Sequence, residues 1–240
     1  MTSARPKVWI TRSQPSAEET AAALQAAGFT AIAAPLLKVT PLKTPKALPP
    51  INSEQSHEKS EQNLGLIFTS QNGVRAFCAA HTARGYPVYA VGDATAALAL
   101  KMEFTQVSSA GGSADDIAPL IARLPNVPAK FLHISGQHVR GSVSADVQAL
   151  GFSCERRIYY RSAAVDALPD IDIAQMDAAV LMSPLAARTL AQLSPDTSKL
   201  ALVSLSPAVD AALGVLPCKN RAIAERPTLQ SLIAALRCAV

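Results

Sequence analysis

The stretch LIFTSQNGVRAF, residues 66–77, decides how the chain is read. An unbroken apolar run stops at Thr69-Ser70, and a Gln-Asn-Gly turn then opens a segment with helical periodicity. An apolar strand covered on both faces, followed at once by a helix, is the unit from which parallel sheets are built. A hydroxyl at that junction suits a helix N-cap, because its oxygen accepts one of the backbone N–H groups left without a partner in the first turn. The same place could hold a nucleophile or an anion, so Ser70 poses a question of function as well as of fold.

The pattern recurs along the chain. Strands are expected at 8–11, 31–34, 66–69, 88–91, 131–134, 178–182, 200–203 and 222–224. Helices are expected at 16–27, 73–83, 94–101, 115–124, 142–150, 185–193, 208–213 and 229–238. Strand–helix alternation of this kind predicts parallel sheets with helices on both faces. Self-comparison adds a repeat. VWITRSQPSAEETAAALQAAGF (8–29) lines up with FLHISGQHVRGSVSADVQALGF (131–152), with Gln14, Gln25, Ala26, Gly28 and Phe29 matching residues 123 positions on. LIFTSQNGVRAF lines up with AVLMSPLAARTL (179–190) at an offset of 113, pairing Ser70 with Ser183 and Arg75 with Arg188. The same offset sets Gly92-Asp93 against Leu205-Ser206, and IAPLIARL (117–124) meets LQSLIAAL (229–236) at an offset of 112. The polar segment 43–65, rich in Pro, Ser, Glu and Gln, lengthens the first copy and is expected to be an exposed loop. Four matches in one order point to two copies of one α/β unit. The repeat alone suggests a boundary near 125–129. An exchange of strands between the copies, through the extended segments 33–42 and 154–162, is equally compatible with it.

The 240 residues carry 22 Lys+Arg against 18 Asp+Glu, a formal charge of +4, with 49% hydrophobic residues and no basic block. That suits an anionic small molecule better than a nucleic acid. The four cysteines form no CxxC pair and no zinc spacing with the four histidines, so free thiols in a reducing cytosol and no metal site are expected. MTSARPKVWITRSQP has no apolar leader region, and no apolar run is long enough for a bilayer; the expectation is a soluble, cytoplasmic protein.

Most catalytic signatures are absent. No G-x-S-x-G surrounds Ser70, Ser183 or Ser206, which argues against a hydrolase elbow. AGGSADD (110–116) is Gly-rich but has no phosphate-loop lysine, and no strand is followed by G-x-G-x-x-G. What does recur is a polar residue at the carboxyl end of a strand: Thr11-Arg12, Thr69-Ser70, Asp93, Ser135-Gly136, Ser183 and Ser206. Capping accounts for such residues, yet open parallel sheets also bind ligands at these ends, where helix N-termini face anions. Arg12, Arg75, Arg140 and Arg188 could add charge. Tyr159 and Tyr160 adjoin in RRIYYRS; neighbours in a strand point to opposite faces, so one of the two can face a ligand. A phenol there can donate a hydrogen bond to a leaving hydroxyl.

Taken together, VWITR with LQAAGF and APLLKVTP, FTSQNGV, AVGDATA, ALGFSCERRIYYRS and VLMSPLAARTL resemble the uroporphyrinogen-III synthases over nearly the whole chain. The resemblance implies two similar α/β domains, each a parallel sheet with helices on both faces, joined by a two-stranded linker. It implies that residues 1–36 and 163–240 form one discontinuous domain, residues 41–157 the other, with linkers at about 35–41 and 155–162. It further implies cyclisation of hydroxymethylbilane to uroporphyrinogen III with loss of water and inversion of the terminal pyrrole, by conformational control in an interdomain cleft. No cofactor, metal, nucleic acid or membrane is implied, and the protein is expected to be a monomer. Because the bilane can close unaided to the uninverted isomer, the enzyme's task is orientation and stabilisation of a cationic intermediate, not nucleophilic attack. Tyr160 matches the family's tyrosine and is the candidate for assisting hydroxide departure. Candidate substrate contacts are Arg12, Ser70, Asn72, Gly92, Asp93, Ser135, Gly136, Arg140, Ser183, Pro184 and Ser206. One loop departs from the family: LSPAVDAAL has Ala208 and Val209 where threonines are usual. That loss, with the hinge-like linkers, motivates a second reading, a non-catalytic two-domain protein binding a tetrapyrrole or another small anion.

Overall fold

The computed structural model describes residues 4–42, 48, 64–139 and 141–240. Arg140 and most of the polar segment 43–65 lie outside the described residues. Two compact units divide the chain, Met1–Val39 with Ala163–Val240, and Thr40–Ser162.

The first unit holds a five-stranded sheet: β1 (Lys7–Ile10), β2 (Thr30–Ala33), β9 (Ala178–Leu181), β10 (Ala201–Ser204) and β11 (Asn220–Ile223), in the order β11-β10-β9-β1-β2. The pairings β1–β2, β1–β9, β9–β10 and β10–β11 are parallel. Alternation along the strands sorts the core into two faces. Val8, Ile10, Ala178, Val180, Ala201 and Val203 pack under α1 (Ser16–Ala26) and α8 (Leu229–Ala239). Trp9, Ala179, Leu181 and Leu202 pack under α6 (Pro184–Leu193) and α7 (Pro207–Ala211). Both faces being covered, the strands read as apolar runs rather than alternating ones.

The second unit holds β4 (Leu64–Phe68), β5 (Val88–Ala90), β6 (Val107–Ser109), β7 (Lys130–Gly136), β8 (Ser153–Ala164) and β3 (Leu37–Pro41), in the order β3-β8-β7-β4-β5-β6. The pairings β7–β8, β4–β7, β4–β5 and β5–β6 are parallel. One face packs Ile67, Tyr89 and Phe131 under α4 (Ile117–Arg123) and α5 (Val143–Ala149). On the other, Phe68, Phe77 and Phe104 meet edge to face and tilted beneath α2 (Gln71–Ala80), beside α3 (Asp93–Lys101). The boundary between units falls within β3 and within β8.

The repeat maps onto the sheets. Reading β2-β1-β9-β10-β11 against β8-β7-β4-β5-β6 sets the matched segments at the same positions. The shared Gly-Phe ending has a cause. Gly28 and Gly151 sit at φ +96° and +89°, in the left-handed region that closes a helix. Gly28 N–H donates to Gln25 O and Phe29 N–H to Leu24 O, the paired bonds of a Schellman stop; Gly151 N–H likewise donates to Gln148 O. The offset of 113 slips by one at the next junction, since the caps are Gly92 for α3 and Ser206 for α7. The expected strands and helices are present with ends moved by up to three residues, and the helix expected at 115–124 opens with a 3-10 turn at Ala114–Asp116. β6, three half-buried residues without an apolar run, is additional, and β4 begins at Leu64, inside the segment expected as loop.

Trp9 is fully buried, and its indole N–H donates to Ala34 O at 2.7 Å. Trp9→Phe leaves that carbonyl unpaired and opens a void, so it should cost about 2 kcal/mol. Urea unfolding followed by circular dichroism, with the unfolding midpoint compared between the two proteins, measures it.

Candidate functional site

In the second unit the chain moves outward from β4 to β5 and β6, then returns to the other side of β4 as β7. The carboxyl ends of β4 and β7 therefore flank a point where the strand order reverses, the place where open parallel sheets receive ligands. Ser70 follows β4 and caps α2: its backbone is extended and its Oγ accepts from Gly73 N–H at 3.2 Å. The same Oγ lies 2.7 Å from the hydroxyl of Tyr160, on β8. Since β7 runs between β8 and β4, the Tyr160 ring has to cross the end of β7, and it does so over Gly136. A Cβ at Gly136 would stand 2.8 Å from Tyr160 Cε2 and 2.9 Å from Cζ, closer than atoms can approach. Glycine is thus required here for space, not for backbone angle.

A bulge gives Tyr160 its direction. Ser135 pairs with Ile158, but Gly136 pairs with Tyr160, so β8 has one residue too many. The extra residue, Tyr159, is buried against Phe77, and its hydroxyl lies 3.0 Å from His81 Nε2. Both tyrosines therefore meet α2, one near its last turn and one at its cap; the expected opposition of neighbouring residues fails because of the bulge. Burial pushes the Tyr160 phenol above its ordinary pKa, while Ser70 and the Gly136 backbone amide pull it the other way. The group is a neutral phenol near neutral pH, with two donors ready to support its oxygen if it loses the proton.

Beneath this edge His133 is 2% exposed, with Nε2 3.3 Å from Thr69 Oγ1 and Nδ1 3.2 Å from Ser144 Oγ. Burial, helped by the charge of Arg156, lowers its pKa to about 4. Ser135 is fully buried; its Oγ accepts from Arg156 Nε at 2.9 Å and faces Arg157 O at 3.4 Å. With its hydroxyl spent inside the sheet, Ser135 offers no surface to a ligand, contrary to its place among the expected contacts. Asn72 is half-buried in the first turn of α2. Gly92 caps α3 without a side chain, and exposed Asp93 accepts from Ser109 Oγ at 2.7 Å.

The first unit repeats the cap and not the tyrosine. Ser183 Oγ accepts from Ala186 N–H at 3.1 Å, and Pro184 occupies the first helical position of α6, where no N–H is needed. Arg12 is half-buried after β1, following buried Thr11, whose hydroxyl donates to Val180 O. Ser206 caps α7 with no side-chain cap bond. Val209 is 2% exposed within the apolar core, whereas Ala208 is exposed.

Of the expected residues, Ser70, Gly136 and Tyr160 come together in one constellation. Gly92 and Asp93 belong to the neighbouring β5–α3 junction, and Arg12, Ser183, Pro184 and Ser206 to the other unit. Arg140 is outside the described residues. His133 entered the sequence reading only among the four histidines, without metal spacing and as an ordinary strand residue; Arg156 was not singled out and carried no signal.

A family profile described as uroporphyrinogen-III synthase HemD matches residues 18–234. Among solved structures, the fold is similar to a uroporphyrinogen-III synthetase from Helicobacter pylori, with TM-score 0.57 and 16% identity over 98% of this chain and 99% of that one. It is also similar to a mutant uroporphyrinogen III synthase from the extremely thermophilic bacterium Thermus thermophilus, with TM-score 0.53 and 14% identity over 98% of each chain. No curated protein matches at a significant level. At these identities the structural likeness concerns the fold; the family assignment rests on the profile.

His133 generates a pH test. It binds a proton near pH 4 in the fold and near pH 6.5 in an unfolded chain. Between those values the unfolded state holds more protons, so stability is lost as pH falls from about 6.5 to about 4, by on the order of 3 kcal/mol. Urea midpoints across that window should drop for the native chain and stay flatter for His133→Gln.

Proposed function

The chain belongs to the uroporphyrinogen-III synthase family, cyclising lyases of tetrapyrrole biosynthesis, and from that premise we propose that Tyr160 gives the proton with which the terminal hydroxyl of hydroxymethylbilane departs as water. The activity is that of a uroporphyrinogen-III synthase, acting on hydroxymethylbilane. The observation that carries the proposal is the 2.7 Å contact between Ser70 Oγ and Tyr160 OH across Gly136.

In this reading the carbon–oxygen bond breaks with its electron pair leaving on oxygen, and the Tyr160 O–H proton completes the water molecule. The cation left behind spreads over the electron-rich pyrrole. The Gly136 amide and the Ser70 hydroxyl, once turned toward the phenol, support the phenolate in the meantime. The substituted carbon of the last pyrrole bonds to the cationic carbon and forms a spirocycle. Its bond to the original methylene bridge then breaks, and that methylene bonds to the ring's free α carbon. The proton lost from that carbon restores the pyrrole and the phenol, so the ring is inverted and the net change is loss of one water. Binding groups then have one task, to hold the last ring inverted. Ser70, Asn72, Gly92 and Asp93 are proposed for this in the second unit, with Arg12, Ser183, Pro184 and Ser206 in the first. The proposal includes a monomeric state and a cytoplasmic location. The alternative of a binding protein without catalysis is not favoured, because the family is one of enzymes and Val209, one of the two replaced threonine positions, belongs to the core.

Supplied with enzymatically made hydroxymethylbilane, the native protein should give the III isomer. Tyr160→Phe should lower kcat roughly 10²-fold with KM little changed, the scale of a lost proton donor. Gly136→Ala, which displaces the same ring, should lower kcat in the same direction. Isomer analysis of the products by chromatography checks both, and full activity of Tyr160→Phe would remove Tyr160 from the mechanism.

A further inference from the structure

We propose that Arg156 is a positioning residue for Tyr160, acting through the end of β7; the inference rests on the role given to Tyr160 above. Arg156 lies on β8, four residues before Tyr160. Its Nε donates to Ser135 Oγ at 2.9 Å, and its Nη2 donates to Gly136 O at 2.9 Å and to Gln137 O at 2.8 Å. One guanidinium thus grips three consecutive residues. These are the residues on which Tyr160 depends. Gly136 leaves space beneath the ring, its amide supports the phenol oxygen, and Gln137 N–H donates to Tyr160 O at 2.9 Å.

The bulge explains why such a grip is needed. Where two residues of β8 oppose one of β7, the regular ladder is interrupted and the local path of β7 is no longer set by strand pairing alone. Residues 137–139, which follow, are exposed and outside any helix or strand. A planar guanidinium can bond the hydroxyl and both carbonyls at once in fixed directions; a lysine ammonium carries the same charge on a flexible stem and cannot reproduce that fork. Arg156 is itself exposed, which is how a bland surface arginine reads in sequence. Its three bonds run inward.

A substrate-binding role would depend on the charge; a positioning role depends on the fork. The experiment therefore compares Arg156→Lys and Arg156→Met, each alone and combined with Tyr160→Phe, with melting curves confirming the fold. Both single variants are expected to lower kcat roughly tenfold while KM stays within about twofold, the scale of a misplaced catalytic group. In the Tyr160→Phe background neither should cause a further loss, because the group being positioned is already gone. Spectrophotometric titration gives a readout without turnover: in both Arg156 variants the Tyr160 ionisation, isolated by difference against the matching Tyr160→Phe protein, should move down toward the ordinary tyrosine value as the ring loses its enclosure. Should Arg156→Met fail to fold, Arg156→Lys alone decides. Losses that multiply in the double variants would overturn the inference and leave Tyr160 in place. So would a KM that rises in the methionine variant and is restored by lysine at unchanged kcat, or an unshifted titration. A Tyr160→Phe enzyme at the native rate would overturn the reading of Tyr160 and this inference with it.

Discussion

The carboxyl edge of the second sheet depends on the absence of one carbon atom, the Cβ of residue 136. Without it a tyrosine ring from β8 crosses the intervening strand and meets the serine that caps the helix after β4. With it the ring would have to lift, and the phenol would leave both Ser70 and the Gly136 amide. Packing is the deciding term: a contact at 2.8 Å between carbon atoms is repulsive by far more than a hydrogen bond returns, so no other residue fits beneath the ring without moving it.

Duplication explains the frame on which this constraint sits. Ser70 and Ser183 make the same cap bond after equivalent strands, and Gly28 and Gly151 stop equivalent helices. The two edges have nonetheless diverged. Carrying the offset of 123 forward puts Ser13 opposite Gly136 and Leu37 opposite Tyr160. One copy thus keeps a space and a phenol, and the other has a side chain and a hydrocarbon. A shared fold can thus carry different side chains at its two edges.

Much of the fold was legible because apolar runs, caps and glycine stops act locally. The parallel α/β class follows from strand–helix alternation, and the doubling follows from matched caps and Gly-Phe stops. β6 escaped because three half-buried residues at a sheet edge carry no apolar signature. At the site, Ser70, Gly136 and Tyr160 could each be singled out, yet nothing in the sequence joins residues 90 positions apart. The bulge was equally hidden, since it depends on the register between two strands, and it overturned the expectation that adjacent tyrosines must face opposite ways. Ser135 misled for a related reason: a serine at a strand end reads as a cap or a contact, but here the hydroxyl is turned into the sheet to receive Arg156.

The central claim is that Tyr160 supplies the proton with which hydroxide leaves. It is tested most directly by changing the leaving group. A bilane carrying a terminal acyloxymethyl group expels a carboxylate, which departs without protonation. The rate of enzymatic closure on that substrate, corrected for spontaneous closure, is measured for the native chain and for Tyr160→Phe. The account predicts equal rates for the two proteins. A deficit in Tyr160→Phe as large as that seen with hydroxymethylbilane would contradict it.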